Sequence, residues 1–245
     1  MDVTKVKPYN EESSKKRQIE ALFNSIARRY DFLNHLLSFG IDIYWRKKAV
    51  KHFASFFKNK ENAQIIDIAS GTGDLAITLY NLGFKNIYIT DLSSEMLSIA
   101  EKKVKKLGNT TINISIEDAE KLSFNENKFD GLTVAFGVRN FGSLEKGLSE
   151  MNRVLKPGAP LLILEFSKPY LLFRPFYYFH FKIVLPLIGK LFSGDYKAYK
   201  YLPDSVNAFP EPTEFAKLLN NSGFTNILIK AYTLGAVRSY TAIKK

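Results

Sequence analysis

The chain has 245 residues, enough for one large α/β domain or one domain with an added subdomain. It contains no cysteine, which excludes disulfides, thiolate metal sites and a cysteine nucleophile, and its three histidines (His35, His52, His180) show no metal-ligand spacing, so no metal is expected. A net charge of +11 favours anionic partners: nucleic acid, acidic lipid headgroups or an anionic ligand.

The N-terminus, MDVTKVKPYNEESSKKRQIE, is polar and mixed in charge, unlike a signal peptide, and is expected to fray to about residue 18. No uninterrupted apolar run approaches the ~18 residues of a membrane span, so a soluble or peripheral protein is expected. From Gln18, apolar residues Ile19, Leu22, Phe23, Ile26 and Tyr30 recur at helical steps, and IDIYWRKKAVKHFASFFK predicts a second helix. The texture changes at residue 64. IIDIA, NIYIT, TINISIED, LTVAF (132–136) and APLLILEF predict strands. LAITLYNLG, SEMLSIAEKKVKKLG with Ser93 or Ser94 as cap, and SLEKGLSEMNRVLKPG predict helices between them. Such alternation implies a mostly parallel, doubly wound sheet. TEFAKLLNNSGF reads as a capped helix, and TNILIKAYTLG with AVRSYTAIK as a hairpin adding antiparallel strands at the edge.

IIDIASGTGDLA sets a glycine turn directly between a strand and a helix. Gly71 and Gly73 permit positive φ and close approach of a ligand to the backbone. Gly71-x-Gly73-x-x-Ala76, with Asp91 twenty residues beyond Gly71, also satisfies a dinucleotide fingerprint, so a nicotinamide enzyme competes as a reading. Asp67 within the first strand, Asp74 after the second glycine and Asp118 in EDAEKL surround the loop with negative charge. A pyrophosphate prefers bare amides at a helix N-terminus. Carboxylates favour a ligand with a sulfonium and an ammonium, namely S-adenosylmethionine, with Asp91 placed for ribose hydroxyls in either case.

The ordered segments DIASGTGDLA, TDLSSEML, EDAEKLSF, FDGLTVAFGVRNF and RVLKPGAPLLILEFSKP resemble class I S-adenosylmethionine-dependent methyltransferases. YDFLNHLLSFGIDIYW, GVRN and YLPDSVNAFP narrow the resemblance to the menaquinone and ubiquinone biosynthesis C-methyltransferases, from about residue 20 to the terminus. The resemblance implies that Thr72, Asp91, Asp118 and Ala119 line the cofactor site beside Gly71 and Gly73. Departures are modest: Asp118 stands where some relatives have asparagine, Ala159 where glycine is frequent in a KPGG turn, Asp42 where histidine often follows, and Ala135 where some have serine.

These relatives methylate a ring carbon of a reduced, polyprenylated quinol. Ionising the neighbouring hydroxyl activates that carbon, at a cost of roughly 4 kcal/mol for a phenol titrating near ~10. Arg139 is therefore expected to stabilise the phenolate, while Asn140 orients the hydroxyl or a water that takes the proton. An alternative stays open, in which Arg139 pairs with a core carboxylate to anchor its loop. Tyr30 and Asn34, one helical turn apart, are candidate substrate contacts or ordinary interface residues, and Trp45 reads as core.

Between Phe166 and Tyr201 lie 12 of the 34 aromatic residues, with six Lys or Arg against one Asp. That mixture suits a membrane surface, a nucleic-acid contact, or a helical lid packed on the sheet. Pro175 and Pro186 argue against one unbroken helix. The expectation is a Rossmann-like α/β methyltransferase with a seven-stranded sheet: a helical cover over residues 1–60, and a methyltransferase domain over 61–245 with an aromatic-rich helical insertion at about 167–205. It would convert demethylmenaquinol to menaquinol, or methylate the methoxy-benzoquinol of the ubiquinone pathway instead or as well. An RNA methyltransferase or nucleic-acid binder is the rival of another class, disfavoured by the absence of an RRM, KH or NPPY-type motif. The expected location is cytoplasmic, with contact to the inner face of the membrane and homo-oligomerisation left open.

Overall fold

The computed structural model describes residues 6–9, 12–108, 111–175 and 196–245, the side chains of 196–200 excepted. Its elements run α1 (Lys15–Leu37), α2 (Ile41–Ala54), β1 (Gln64–Ile68), α3 (Asp74–Asn81), β2 (Asn86–Asp91), α4 (Ser94–Lys105), β3 (Asn113–Ile116), β4 (Gly131–Ala135), α5 (Leu144–Val154) and β5 (Pro160–Phe166). Then follow α6 (Tyr196–Ala208), α7 (Pro212–Asn221), β6 (Phe224–Tyr232) and β7 (Val237–Lys244). Of the aromatic-rich insertion, residues 176–195 lie outside the described residues.

One seven-stranded sheet has the order β3-β2-β1-β4-β5-β7-β6. The first five strands pair in parallel. The expected hairpin is present, but its last strand is not an edge: β7 runs antiparallel between β5 and β6. Each strand sorts its side chains by the two-residue period of the pleat. Ile66, Ile68, Leu161 and Ile163 face one core, against α5 and α7 through residues such as Leu148 and Phe215. Ile65, Ile89, Leu162 and Leu164 face the other, against α2, α3 and α4. Val50 and Phe53 are fully buried in that second core, so α2 is a layer of the sheet's own packing rather than only a cover. Trp45 is core, as expected; its Nε1 donates to Thr233 Oγ1 at 2.8 Å.

Two helix starts differ from expectation. α1 begins before Gln18, with the Ser14 hydroxyl accepting from Arg17 N. Lys15 and Gln18 are buried there: the Lys15 ammonium donates to the carbonyls of Arg139 (3.1 Å) and Phe141 (3.0 Å), and the Gln18 amide accepts from Tyr9 N (3.0 Å) and donates to Ser13 O (2.9 Å). α7 begins at Pro212, whose missing N–H costs nothing in a first turn, and its N-cap Glu211 makes no side-chain capping bond. Ser93, by contrast, caps α4 as expected, accepting from Met96 N.

The sheet order turns between β1 and β4, the strands that flank the chain's reversal of direction. Crevices at the carboxyl ends of such strands are where open α/β sheets hold ligands.

Candidate active site

Both switch-point strands end in strained backbone. Ala69, after β1, has φ of 48°, and Phe136, after β4, has φ of 58°. Non-glycine residues seldom adopt this region, and such strain concentrates at functional sites. The two turns touch: a Cβ on Gly137 would stand 2.7 Å from Ala69 Cβ, so only glycine fits at that crossing.

Asp91 fastens the glycine loop. Its Oδ2 accepts from Gly71 N at 2.8 Å and its Oδ1 from Ser93 N at 2.9 Å. Burial raises its pKa, offset in part by those amides. Each oxygen retains a lone pair for a further donor. Around the loop opens a cleft of about 950 Å³ lined by Asp67, Asp74, Asp91, Asp118, Glu117 and Glu120.

Asp67 is fully buried there. Thr133 Oγ1 donates to its Oδ1 at 2.7 Å, whereas its Oδ2 has no hydrogen-bond partner among the described residues. Burial pushes its pKa up to about 7. An orphaned carboxylate oxygen at an acid-lined cleft fits a cationic ligand better than a pyrophosphate, and so fits the sulfonium cofactor.

Gly71, Thr72, Asp118, Ala119 and Asn140 line this cleft together with Asp91. Gly73 does not: a Cβ there would meet Ala100 Cβ at 3.3 Å, so this glycine serves the packing of the loop on α4. The Thr72 hydroxyl is engaged by α1, donating to Asp31 Oδ1 at 2.5 Å. Lys103 joins them, at 2.6 Å from both Asp31 and Asp74. Asp118 is paired with Lys16 at 2.5 Å. Lys16, Ile19, Phe23 and Tyr30, on one face of α1, roof the cleft.

A second cavity of about 1200 Å³ adjoins the first. Its walls are largely apolar, with Leu37, Trp45, Phe166, Leu202 and Val206; its polar residues include Tyr30, Asn34, Asp42 and Arg139. Tyr30, Arg46 and Phe136 line both spaces. Burial raises the Tyr30 pKa against the opposing effects of its hydrogen bond with Asn34 and the charges of Arg139 and Arg46, keeping the phenol protonated. Arg46 escaped the sequence reading. It is 7% exposed, pairs with Asp42 and lies over the Phe136 ring, 5.6 Å from its centroid. Burial opposes ionisation of Asp42, but the Ser38 hydroxyl and Arg46 outweigh it and hold the carboxyl below its usual value.

Arg139 is held by a buried carboxylate. Its Nη1 is 2.6 Å from Glu165 Oε1 and also donates to Phe136 O at 2.5 Å; its Nε donates to Ser205 Oγ at 3.3 Å. Its backbone N–H donates to Glu165 Oε2 at 3.2 Å. Glu165 is fully buried. The alternative held open above is therefore what the side chain does: a core carboxylate anchors the turn. Burial disfavours the charge, but Glu165 outweighs it and keeps Arg139 cationic. Nη2 makes no hydrogen bond among the described residues, and Arg139 lines the apolar cavity. Asn140 instead lines the acidic cleft, its Oδ1 accepting from Tyr201 OH at 3.0 Å, so the two neighbours serve different spaces.

Strand order, glycine loop and acid-ringed cleft define a class I S-adenosylmethionine-dependent methyltransferase. Among solved structures, a protein of Thermotoga maritima described as an S-adenosylmethionine-dependent methyltransferase, possible histamine N-methyltransferase, shares this fold. Its TM-score is 0.63 and its identity 20%, over 92% of this chain and 99% of that one.

The model of the ubiE/COQ5 methyltransferase family matches residues 11–244, and the chain belongs to that family. A demethylmenaquinone methyltransferase of Bacteroides fragilis is 43% identical over 98% of both chains. A ubiquinone/menaquinone biosynthesis C-methyltransferase of Geotalea daltonii is 43% identical over 95% of this chain and 98% of that one. The chain is accordingly a methyltransferase whose cofactor is S-adenosyl-L-methionine.

Proposed function

We propose that this enzyme methylates a ring carbon of a polyprenylated quinol, converting demethylmenaquinol to menaquinol. The observation that carries the reading is the meeting of an acid-lined cleft and an apolar cavity at Tyr30, Arg46 and Phe136. The activities for which relatives at 43% identity are named support it.

When bound, the cofactor supplies a methyl group activated by positively charged sulfur. Asp67 faces its cationic end, Asp91 its ribose hydroxyls, and Asp118 with Ala119 its adenine edge, Lys16 yielding or sharing Asp118. Alignment and exclusion of water do most of the remaining work. The quinol ring lies among Trp45, Phe136 and Phe166. Tyr30 and Asn34 meet one of its oxygens. Arg139, neutralised as a pair by Glu165, offers Nη2 to the ionising oxygen as an oriented donor rather than as an unbalanced charge. The proton leaves to water.

The polyprenyl tail of such an acceptor resides in a bilayer. No helix of the described residues is long and apolar enough to cross a membrane, so the contact we propose is peripheral, at its cytoplasmic face. The test supplies labelled cofactor with a reduced naphthoquinol or a reduced methoxy-benzoquinol. Label in the naphthoquinol supports the reading, label in the benzoquinol alone transfers it to the ubiquinone pathway, and label in neither overturns it.

A further inference from the structure

The outer face of α2 combines exposed apolar residues with unpaired lysines. Ile43 and Tyr44 are 42% and 53% exposed, and Lys47, Lys48 and Lys51 follow on the same side at helical spacing. None of these three lysines forms an ion pair among the described residues; Lys48 lies only over the Tyr44 ring, at 5.7 Å. The helix's one acid, Asp42, is buried and points inward to Arg46. Its opposite face, Trp45, Ala49, Val50 and Phe53, is consumed by the core, so the basic face is not needed for folding.

The same helix reaches the acceptor cavity at its N-terminal end. Ile41, one turn before Trp45, lines the cavity, and Trp45 is tied to Thr233 in the turn between β6 and β7. That turn is tied in its own right to the next: Tyr170 N donates to Leu234 O at 2.9 Å. Leu171, Leu172 and Leu234 stand 77%, 92% and 57% exposed on these two turns. The exposed leucines thus adjoin cavity residues Phe173 and Thr233, and the basic face of α2 begins just beyond Ile41, the cavity residue that opens that helix.

We propose that the α2 face and the two leucine-bearing turns form a docking surface for an anionic phospholipid bilayer, oriented so that the acceptor cavity opens into the lipid. The orientation rests on the quinol reading above; the surface does not. Tyr44 and Ile43 enter the interface, and Lys47, Lys48 and Lys51 meet lipid phosphates, as amphipathic basic helices lying in a membrane surface do. The charge selects an anionic bilayer over a neutral one. This places the contact on α2 and the 171 and 234 turns, the 171 turn lying within the Phe166–Tyr201 stretch that composition singled out.

The full chain is sedimented with vesicles of phosphatidylglycerol and phosphatidylcholine, or of phosphatidylcholine alone. Wild type should bind the anionic vesicles and release them as salt rises. A Lys47→Gln/Lys48→Gln/Lys51→Gln variant should bind about a hundredfold more weakly, three lysines contributing roughly a factor of five each. An Ile43→Ser/Tyr44→Ser variant should release the anionic vesicles at a lower salt concentration than wild type does. Both should keep the wild-type melting temperature and turnover of a water-soluble short-chain quinol, while losing turnover of quinol embedded in vesicles. Equal binding by wild type and variants, or wild-type binding indifferent to lipid charge, would overturn the proposal. So would lysine-dependent binding to an RNA duplex with no binding to vesicles. If vesicles are bound as predicted but no quinol is methylated, the docking surface stands and the quinol reading fails.

Discussion

Asp67→Asn is the perturbation whose consequence can be worked furthest. Asp67 is fully buried with one orphaned oxygen, and its pKa lies near 7 rather than 3.8. Below about pH 4 the carboxyl is protonated in folded and unfolded chains alike, and no penalty exists. Between about 4 and 7 the unfolded chain ionises first, so stability falls as pH rises. Above 7 the loss is complete, at about 4 kcal/mol for a shift of about three units. A cationic ligand beside the orphaned oxygen reverses this preference. The ionised fraction of a group with pKa about 7 rises from about a tenth at pH 6 to about nine tenths at pH 8. Cofactor affinity should therefore increase about tenfold across that interval, with release of a proton on binding below pH 7. In Asp67→Asn, the ligand-free protein should be more stable than wild type at pH 8 and no more stable near pH 4. Its cofactor affinity should be weak and flat from pH 6 to 8. Calorimetry in buffers of different ionisation heat, paired with thermal melts, measures all of this. A variant that kept the wild-type pH dependence of binding would refute the assignment of Asp67 to the cation.

Gly137→Ala should cost about 1–3 kcal/mol in chemical denaturation, because the added methyl meets Ala69 Cβ at 2.7 Å; wild-type stability would contradict the tight crossing of the two turns. Glu165→Gln leaves a buried guanidinium without its counter-charge and should lower stability by about 3–5 kcal/mol, read from the unfolding midpoint. Arg139→Lys should slow methyl transfer while cofactor affinity by calorimetry stays level. Asp91→Ala should weaken cofactor binding at least about tenfold, since the change removes both the ribose acceptor and the charge-assisted anchor of Gly71 N.

How much of this was legible beforehand follows from what each signal depends on. The glycine turn, Asp91 and Asp118 announce themselves because they lie at the ends of successive strands, and strand ends can be read from apolar runs. The pairing of Arg139 with Glu165 could not be read. Glu165 looks like an interruption in an apolar strand, and the sequence carries no register between β5 and the turn after β4. Arg46 was invisible for a related reason, since the sequence does not say which of the successive cations of α2 faces inward. Gly73 carries a second role that the fingerprint does not announce: its missing Cβ leaves room for Ala100. The positive φ of Ala69 and Phe136 has no sequence signal, because alanine and phenylalanine are not turn formers.

The central claim is that a methyl group crosses from one space to the other where Tyr30, Arg46 and Phe136 meet. A crystal structure with S-adenosylhomocysteine and a reduced demethylnaphthoquinol tests it most directly. The account predicts sulfur at the acid-lined side of that junction and a quinol ring carbon in line with it on the apolar side, with an oxygen within hydrogen-bonding distance of Arg139 Nη2. A ring lodged outside the cavity, or sulfur directed away from those three residues, would contradict it.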